Sequence, residues 1–555
     1  MGSTRRRTFL ASALALPLAA AALGAQRVMA AEPATEAASG AAGSAAGDVV
    51  GKITVGYQGW FAATGDGSPI DCWWHWSPDA QKAPSVSNNG IKAWPDMSEY
   101  ETTYETAFPA LGNGRPATLF SSYDQQTVDT HFAWMQENGC DTAALQRFDP
   151  TGGEGPTRDD MTAKVRTAAE ATGRKFYIMY DVTGWKQMAT QLPADWTSKM
   201  KAYTASSAYA TQNGRPVVCI WGFGFNDENH DWAAADCLDV VHWLQEQGCY
   251  VIGGVPTYWR EGKNDSRSGF GDVYHAFDML SPWMVGRIGD ADGSDWFYEK
   301  VNTPDQADCD AHGIDYQPCV LPGDVSERQR AHGDFMWRQF YNMVRVGAAG
   351  IYVSMFDEYN EGNQIAKTAE TPATAPAGFL TLDEDGTACS SDYYLRLTND
   401  GGRMLRGEVA LTEKRFTTPL VGADPVGGDD PNRTVALRSK ANDRYVALAS
   451  GALVASAASA GEKFVVVDLG AGNVALRVKS TGRYVCAENA GAVALTADRE
   501  AIGGWEIFAL VENADGTVSF RCGANGKYVC AENTGADPLV PNRDAIGPWE
   551  SFTLV

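Results

Sequence analysis

Between residues 50 and 408 the chain alternates short apolar runs with longer amphipathic stretches. The runs are Ile53–Tyr57, Thr142–Phe148, Phe176–Asp181, Val217–Trp221, Tyr250–Val255, Met279–Val285, Cys319–Leu321 and Ile351–Phe356. They are rich in β-branched and aromatic residues and bounded by turn formers, so they read as strands. Between them apolar residues recur three and four positions apart, as in Val128–Asn138 before Gly139 and Ala234–Gln247 before Gly248. A glycine just past the last periodic residue stops a helix, because the residue there adopts a left-handed conformation. Strand, helix and glycine repeated about eight times over roughly 350 residues predict parallel βα units. Right-handed crossovers close such units into a (β/α)8 TIM barrel. The alternative is a doubly wound open sheet, which usually places a glycine-rich phosphate turn after its first strand. Here Gly56-Tyr57-Gln58-Gly59-Trp60-Phe61 stands in that place, and the barrel is preferred.

Residues 432–555 follow a different pattern, short alternating strands in three copies. Val435-Ala436-Leu437-Arg438 recurs as Val474-Ala475-Leu476-Arg477 and Val518-Ser519-Phe520-Arg521. Arg444-Tyr445-Val446 recurs as Arg483-Tyr484-Val485 and Lys527-Tyr528-Val529, the latter two continuing Cys-Ala-Glu-Asn. Phe464, Phe508 and Phe552 close the copies. Threefold repetition of strand-and-turn units predicts a closed all-β structure, for which a β-trefoil is the natural solution. The repeats resemble the fascin-like trefoil and lack the Gln-x-Trp signature of ricin-type lectin trefoils. Trp505, Trp549 and the repeated Tyr-Val pairs are expected to form its core, and three equivalent sugar pockets are a possible further role.

The N-terminus reads as an export signal over residues 1–30. Arg5-Arg6-Arg7 precede an apolar run from Phe9 to Leu23 and a small-residue cleavage site ending at Ala30. The paired arginines suggest the twin-arginine route and a secreted protein. Residues 31–49 are Ala-, Gly-, Ser- and Thr-rich and are expected to be a flexible leader; residues 409–431 read as a linker. No later segment is apolar enough to span a membrane. The 555-residue chain carries 45 Lys and Arg against 69 Asp and Glu, a formal charge of -24. That balance repels nucleic acid and anionic lipid, so neither is an expected partner. The 17 Trp and 21 Tyr suit sugars instead, since flat amphipathic rings stack on pyranose C–H faces. Eleven cysteines are too few and too scattered for a disulfide scaffold. Cys237 with Cys249, or Cys309 with Cys319, could pair; buried free thiols are the other reading. The lack of Cys-x-x-Cys and His-x-x-x-His predicts no metal, and no cofactor is expected. A monomer is expected. Asp290-x-Asp292-Gly293 reads as a turn rather than a calcium loop.

The chemistry is expected at the end of the last strand. Tyr352-Val353-Ser354-Met355-Phe356 runs straight into Asp357-Glu358-Tyr359-Asn360-Glu361-Gly362. In a parallel barrel the C-terminal end of each strand meets substrate. Carboxylates crowded there by aromatics feel desolvation and mutual repulsion, which separate their pKa values. Glycoside hydrolysis needs that division, one group donating a proton while the other assists attack. The other reading is an acidic surface loop, which a chain this negative could supply.

At these residues the sequence resembles glycoside hydrolase family 99, which contains endo-α-mannosidases and is related to the family 71 α-1,3-glucanases. The resemblance rests on Gly56-Tyr57-Gln58-Gly59-Trp60-Phe61, Ser121-Ser122-Tyr123-Asp124 and Glu358-Tyr359-Asn360-Glu361-Gly362. The family motif is Glu-Trp-His-Glu-Gly; this chain keeps both Glu and the Gly but has Tyr and Asn between them. The resemblance implies Glu358 as base and Glu361 as acid. It also implies deprotonation of the sugar's own 2-hydroxyl, an anhydro-sugar intermediate and net retention.

Residues at the other predicted strand ends are candidate walls of the mouth: Tyr57, Trp60, Gln146, Arg147, Asp181, Trp221, Trp259, Arg260, Trp283 and Arg287, with Asp357 and Tyr359 beside the glutamates. His75, in Trp73-Trp74-His75-Trp76, is a candidate for a substrate-facing loop. Two functional readings follow. One is a secreted glycosidase acting on α-linked polysaccharide or glycan; the other is a non-catalytic carbohydrate-binding protein on a degenerate barrel.

Overall fold

The computed structural model describes residues 43–420, 432–449, 451–458, 461–470, 473–499, 501–513 and 516–555. The export signal, most of the leader and residues 421–431 of the linker lie outside the described residues.

Eight strands follow the apolar runs. β1 is Ile53–Tyr57, β2 Thr142–Arg147, β3 Lys175–Asp181, β4 Arg215–Trp221, β5 Tyr250–Gly254 and β6 Met279–Leu280. β7 comes in two halves, Asp315–Tyr316 and Cys319–Val320, and β8 is Ile351–Val353. Every neighbouring pair is parallel. The first half of β7 pairs with β6 and the second half with β8, while β8 pairs back to β1. The ring therefore closes through one segment split at Gln317-Pro318, where proline offers no N–H to a ladder. Helices fill the crossovers: α1 Gln125–Glu137, α2 Gly155–Thr172, α3 Met188–Ser198, α4 Ala234–Glu246, α5 Gly271–Ala276, α6 Ala291–Phe297, α7 Thr303–His312, α8 Asp334–Val346 and α9 Tyr393–Leu405. A TIM-like barrel fits this arrangement.

Alternation along the strands sorts side chains into two layers. Tyr177, Met179, Cys219, Ile252 and Tyr352 face the interior. Their neighbours face the helices, as Tyr180 shows by donating its hydroxyl to Asp195 on α3 at 2.9 Å. Gly56 is required by packing, because a Cβ there would collide with the Tyr352 hydroxyl and the Met355 thioether.

The edges of the barrel domain differ from the expected boundaries. Gly43–Val49, read as part of a free leader, is docked: Val49 is fully buried, Asp48 N–H donates to Thr211 O at 3.1 Å, and Ser44 N–H donates to Asp315 at 3.1 Å. Likewise Val409 and Phe416 are buried in the barrel core, and Thr417 donates to Asp400 on α9 at 2.7 Å, so the first half of the expected linker is part of the domain. All eleven cysteines are buried free thiols, and neither candidate disulfide forms. Asp290 caps α6, accepting the Gly293 N–H at 2.7 Å, as a turn residue does. No helix among the described residues is long and apolar enough to cross a membrane.

The second core belongs to a closed antiparallel domain. Asn432–Ser439 pairs with Lys463–Gly470, then in turn Asn473–Val478, Phe508–Glu512, Val518–Cys522 and Phe552–Leu554, which pairs back to Asn432–Ser439. Three further hairpins join Arg444–Ala449 to Ala452–Ala457, Tyr484–Cys486 to Thr496–Arg499, and Tyr528–Ala531 to Leu539–Arg543. Phe464, Phe508 and Phe552 meet in the core. Trp505 and Trp549 do not: they are 41% and 36% exposed. Their place is just before each closing strand, outside the alternation that points the phenylalanines inward. The first repeat has Gly461 there instead.

Candidate active site

The strand-end carboxylates are organised by the loop after β1. Asp357 is buried and accepts the backbone N–H groups of Gln58 and Gly59, each at 2.8 Å. Gly59 has φ +55°, which turns its N–H onto that carboxylate. The peptide carbonyls of the same turn are held by Arg158 near the start of α2, whose guanidinium donates to Gly59 O at 2.9 Å, to Gln58 O, and to Gln146 O at 2.9 Å. One buried arginine thus fastens the ends of β1 and β2, and Asp357 fastens β1 to the segment after β8. Burial raises Asp357 to about 6, against the backbone donors and Arg158, which favour its ionised form.

Glu358 is only 5% exposed. Gln58 Nε2 donates to its Oε2 at 2.7 Å, and its Oε1 is buried without a hydrogen-bond partner. Its pKa is pushed up to about 8, first by desolvation and next by the negative charge of Glu361. Glu358 therefore holds a proton at neutral pH beside an exposed, interacting carboxyl at Glu361. Gly362, with φ +72°, turns the chain just after Glu361, and its carbonyl accepts from Arg330 at 2.8 Å. Asn360 ties the same turn to the His75 loop by donating to His75 O and Gly90 O, each at 2.7 Å.

A small cleft, partly open to solvent, is lined by residues of β3 to β8, among them Trp221, Trp283, Gln317 and Tyr352. Trp221 and Trp283 meet edge to face at 5.4 Å, and both are partly exposed. Glu358 and Glu361 are not among the cleft's walls. Its link to them is Tyr352, whose hydroxyl lies 3.2 Å from Met355 Sδ in the segment leading to Asp357.

The structure separates the remaining expected wall residues. Gln146 lies at the end of β2 next to the Arg158 clamp, and Asp181 at the end of β3 accepts the Thr183 N–H at 3.0 Å, its pKa raised by burial. Tyr57 is not in the mouth: its hydroxyl hydrogen-bonds His131 on α1 at 3.0 Å, because strand alternation turns it to the helix layer and turns Gln58 inward. Arg147 is helix-facing for the same reason and forks onto Asp195 at 2.6 and 2.7 Å, with Asp159 at 2.7 Å. Tyr359 is buried among Phe61, Trp76 and Phe120, donating to Lys367 O. Trp60, partly exposed, is stacked on His75 at 3.7 Å, with Phe148 also parallel to it at 5.8 Å. Burial and the nearby Arg158 charge lower His75 to about 3, so the imidazole under Trp60 is neutral. Trp259 is buried, its indole donating to Asp305 at 3.1 Å, where Arg260 also pairs. Arg287 is exposed and pairs with Asp265 at 2.8 Å. Gln58 and Arg158 were missed by sequence reasoning. Period-two alternation was a signal for Gln58; nothing local signals Arg158, whose partners at Gln58 and Gly59 lie 100 and 99 residues away.

No family model matches the chain, and no curated protein matches it. Among solved structures it is similar to a GH99 endo-alpha-mannosidase from Bacteroides thetaiotaomicron, at 16% identity over 65% of this chain and 98% of that one, with a TM-score of 0.48. A designed threefold-symmetric protein matches 22% of this chain and 97% of its own length at 18% identity, with a TM-score of 0.21. A Polyporus squamosus lectin matches 23% of this chain and 50% of its own, at 13% identity and a TM-score of 0.21.

Proposed function

We propose that the chain is a secreted glycoside hydrolase that cleaves α-linked polysaccharide or glycan with Glu358 and Glu361. The observation that carries this reading is the state of Glu358: a buried carboxyl at a barrel strand's C-terminal end, raised to about 8, with Glu361 acting on it and one oxygen unpartnered. A surface acid loop gives no reason to bury a carboxyl without satisfying it.

In this reading Glu358 is the base. Once ionised, its free Oε1 accepts a proton from the hydroxyl beside the anomeric carbon, while Gln58 holds Oε2 in place. Glu361, open to solvent, donates to the leaving oxygen. Asp357 positions Gln58 through the backbone rather than touching substrate. Trp221 and Trp283 provide the apolar faces on which a sugar stacks.

The antiparallel domain is inferred to be a β-trefoil of the fascin-like kind, its six-strand ring and three hairpins matching that topology. Exposed Trp505 and Trp549 make two equivalent sugar platforms, not three, because Gly461 takes the position in the first repeat. Two weak sites on one module lengthen residence on a polymer. Export through the residue 1–30 signal and action as a monomer complete the proposal.

The test is incubation with α-mannan, α-1,3-glucan and arabinose- or xylose-containing polymers, followed by assay of new reducing ends. Turnover on at least one polymer, abolished by Glu358→Gln and by Glu361→Gln in folded protein, is the expected result. Binding without release from any polymer would make the chain a carbohydrate-binding protein instead.

A further inference from the structure

Helices α5 and α7 carry a second cluster of chemistry that the carboxylate site does not use. Asp308 and His312 stand four residues apart on α7 and so share one face, and His275 lies in the last turn of α5. His275 Nε2 is 2.8 Å from Asp308 Oδ1, and His312 Nδ1 is 3.1 Å from the same oxygen. The two imidazoles lie face to face, centroids 3.7 Å apart and planes 16° apart. One ligand atom from each of the three residues falls within 4.8 Å of the others, and no other such group occurs among the described residues.

We propose that His275, Asp308 and His312 bind a divalent transition cation of the zinc class. Two imidazole nitrogens and a carboxylate oxygen are the donor set such ions select, whereas calcium and magnesium require oxygen ligands. Asp308 and His275 are partly exposed and His312 is exposed, which leaves an entry path and a fourth position for water. Hydrogen bonding alone accounts for the contacts in the metal-free state, since His312 Nδ1 also lies 2.8 Å from the Asp308 carbonyl. To bind, the two rings turn out of their stack so that one nitrogen of each points its in-plane lone pair at the ion, the ring proton resting on the other nitrogen. The bound ion staples α5 to α7 across β6 and stabilises the folded state by mass action.

The full chain, prepared without a histidine tag and freed of metal by chelation, is titrated with zinc chloride by calorimetry. Cobalt chloride is followed in parallel by visible absorption. One equivalent of zinc per chain, tetrahedral cobalt bands and a zinc-dependent rise in Tm are expected. All three are lost in His275→Ala and in Asp308→Asn, with near-UV circular dichroism confirming the fold. They persist in His332→Ala, which removes a different surface contact, that of His332 with Asp334 and Asp385. Absence of binding to the unmodified chain at millimolar metal overturns the proposal, as does binding that survives both site variants.

Discussion

Glu358→Gln tests the raised carboxyl by stability as well as by turnover. In the unfolded chain the carboxyl titrates at its ordinary 4.5; in the folded protein it titrates at about 8. A pKa raised by folding means the native state holds the proton longer. Its contribution is therefore complete below pH 4.5 and is lost progressively as pH rises through about 8. Each unit in that window costs about 1.4 kcal/mol, so at pH 7 the wild-type fold has given up about 3 kcal/mol. The glutamine variant stays neutral throughout and keeps its Gln58 contact. In thermal melts its barrel transition is expected about 4 °C above wild type at pH 7, the gap closing near pH 4.5. Turnover reads the same carboxyl. If Glu358 is the base, only about a tenth of the free protein carries it ionised at pH 7, and kcat/KM is expected to bend at about pH 8, where that carboxyl titrates. A kcat/KM profile without an inflection near pH 8 would detach the raised carboxyl from turnover. Equal melting of variant and wild type at pH 7, with turnover retained, would refute the reasoning altogether.

Arg158→Ala removes a buried clamp and strands three carbonyls; it is expected to destabilise the barrel by about 3 kcal/mol or more, measured by urea denaturation. Gly56→Ala places a methyl against the Tyr352 hydroxyl and Met355, so it should lower Tm and reduce turnover together, checked by calorimetry and the reducing-end assay. Trp505→Ala and Trp549→Ala, being exposed, should each change stability by under about 0.5 kcal/mol while weakening retention on insoluble polysaccharide; unchanged retention in the double variant would remove the platforms.

Much of the candidate site's location is written along the chain. A strand running into Asp357, Glu358 and Glu361 marks a C-terminal strand end, and the parallel ring places such ends together. Tyr57 and Arg147 face the helix layer rather than the mouth, since alternation and not aromatic or charged character sets a strand residue's face. Each sits one residue from an inward-facing neighbour, Gln58 and Gln146, and one residue is half the strand period. Trp259 and Tyr359 show a different limit, since a large ring at a strand end fills the core as readily as it meets a ligand.

What the sequence determined by itself was local in origin: the β/α rhythm, the threefold repeat, and two glutamates where a buried strand stops. These follow from periodicity and turn chemistry, which depend on near neighbours. The proton held by Glu358, the Arg158 clamp, the exposure of Trp505 and Trp549, and the meeting of His275 with Asp308 and His312 were decided only by tertiary structure. Desolvation and side-chain convergence depend on which distant residues exclude water from a group or face it, and spacing along the chain carries no record of that.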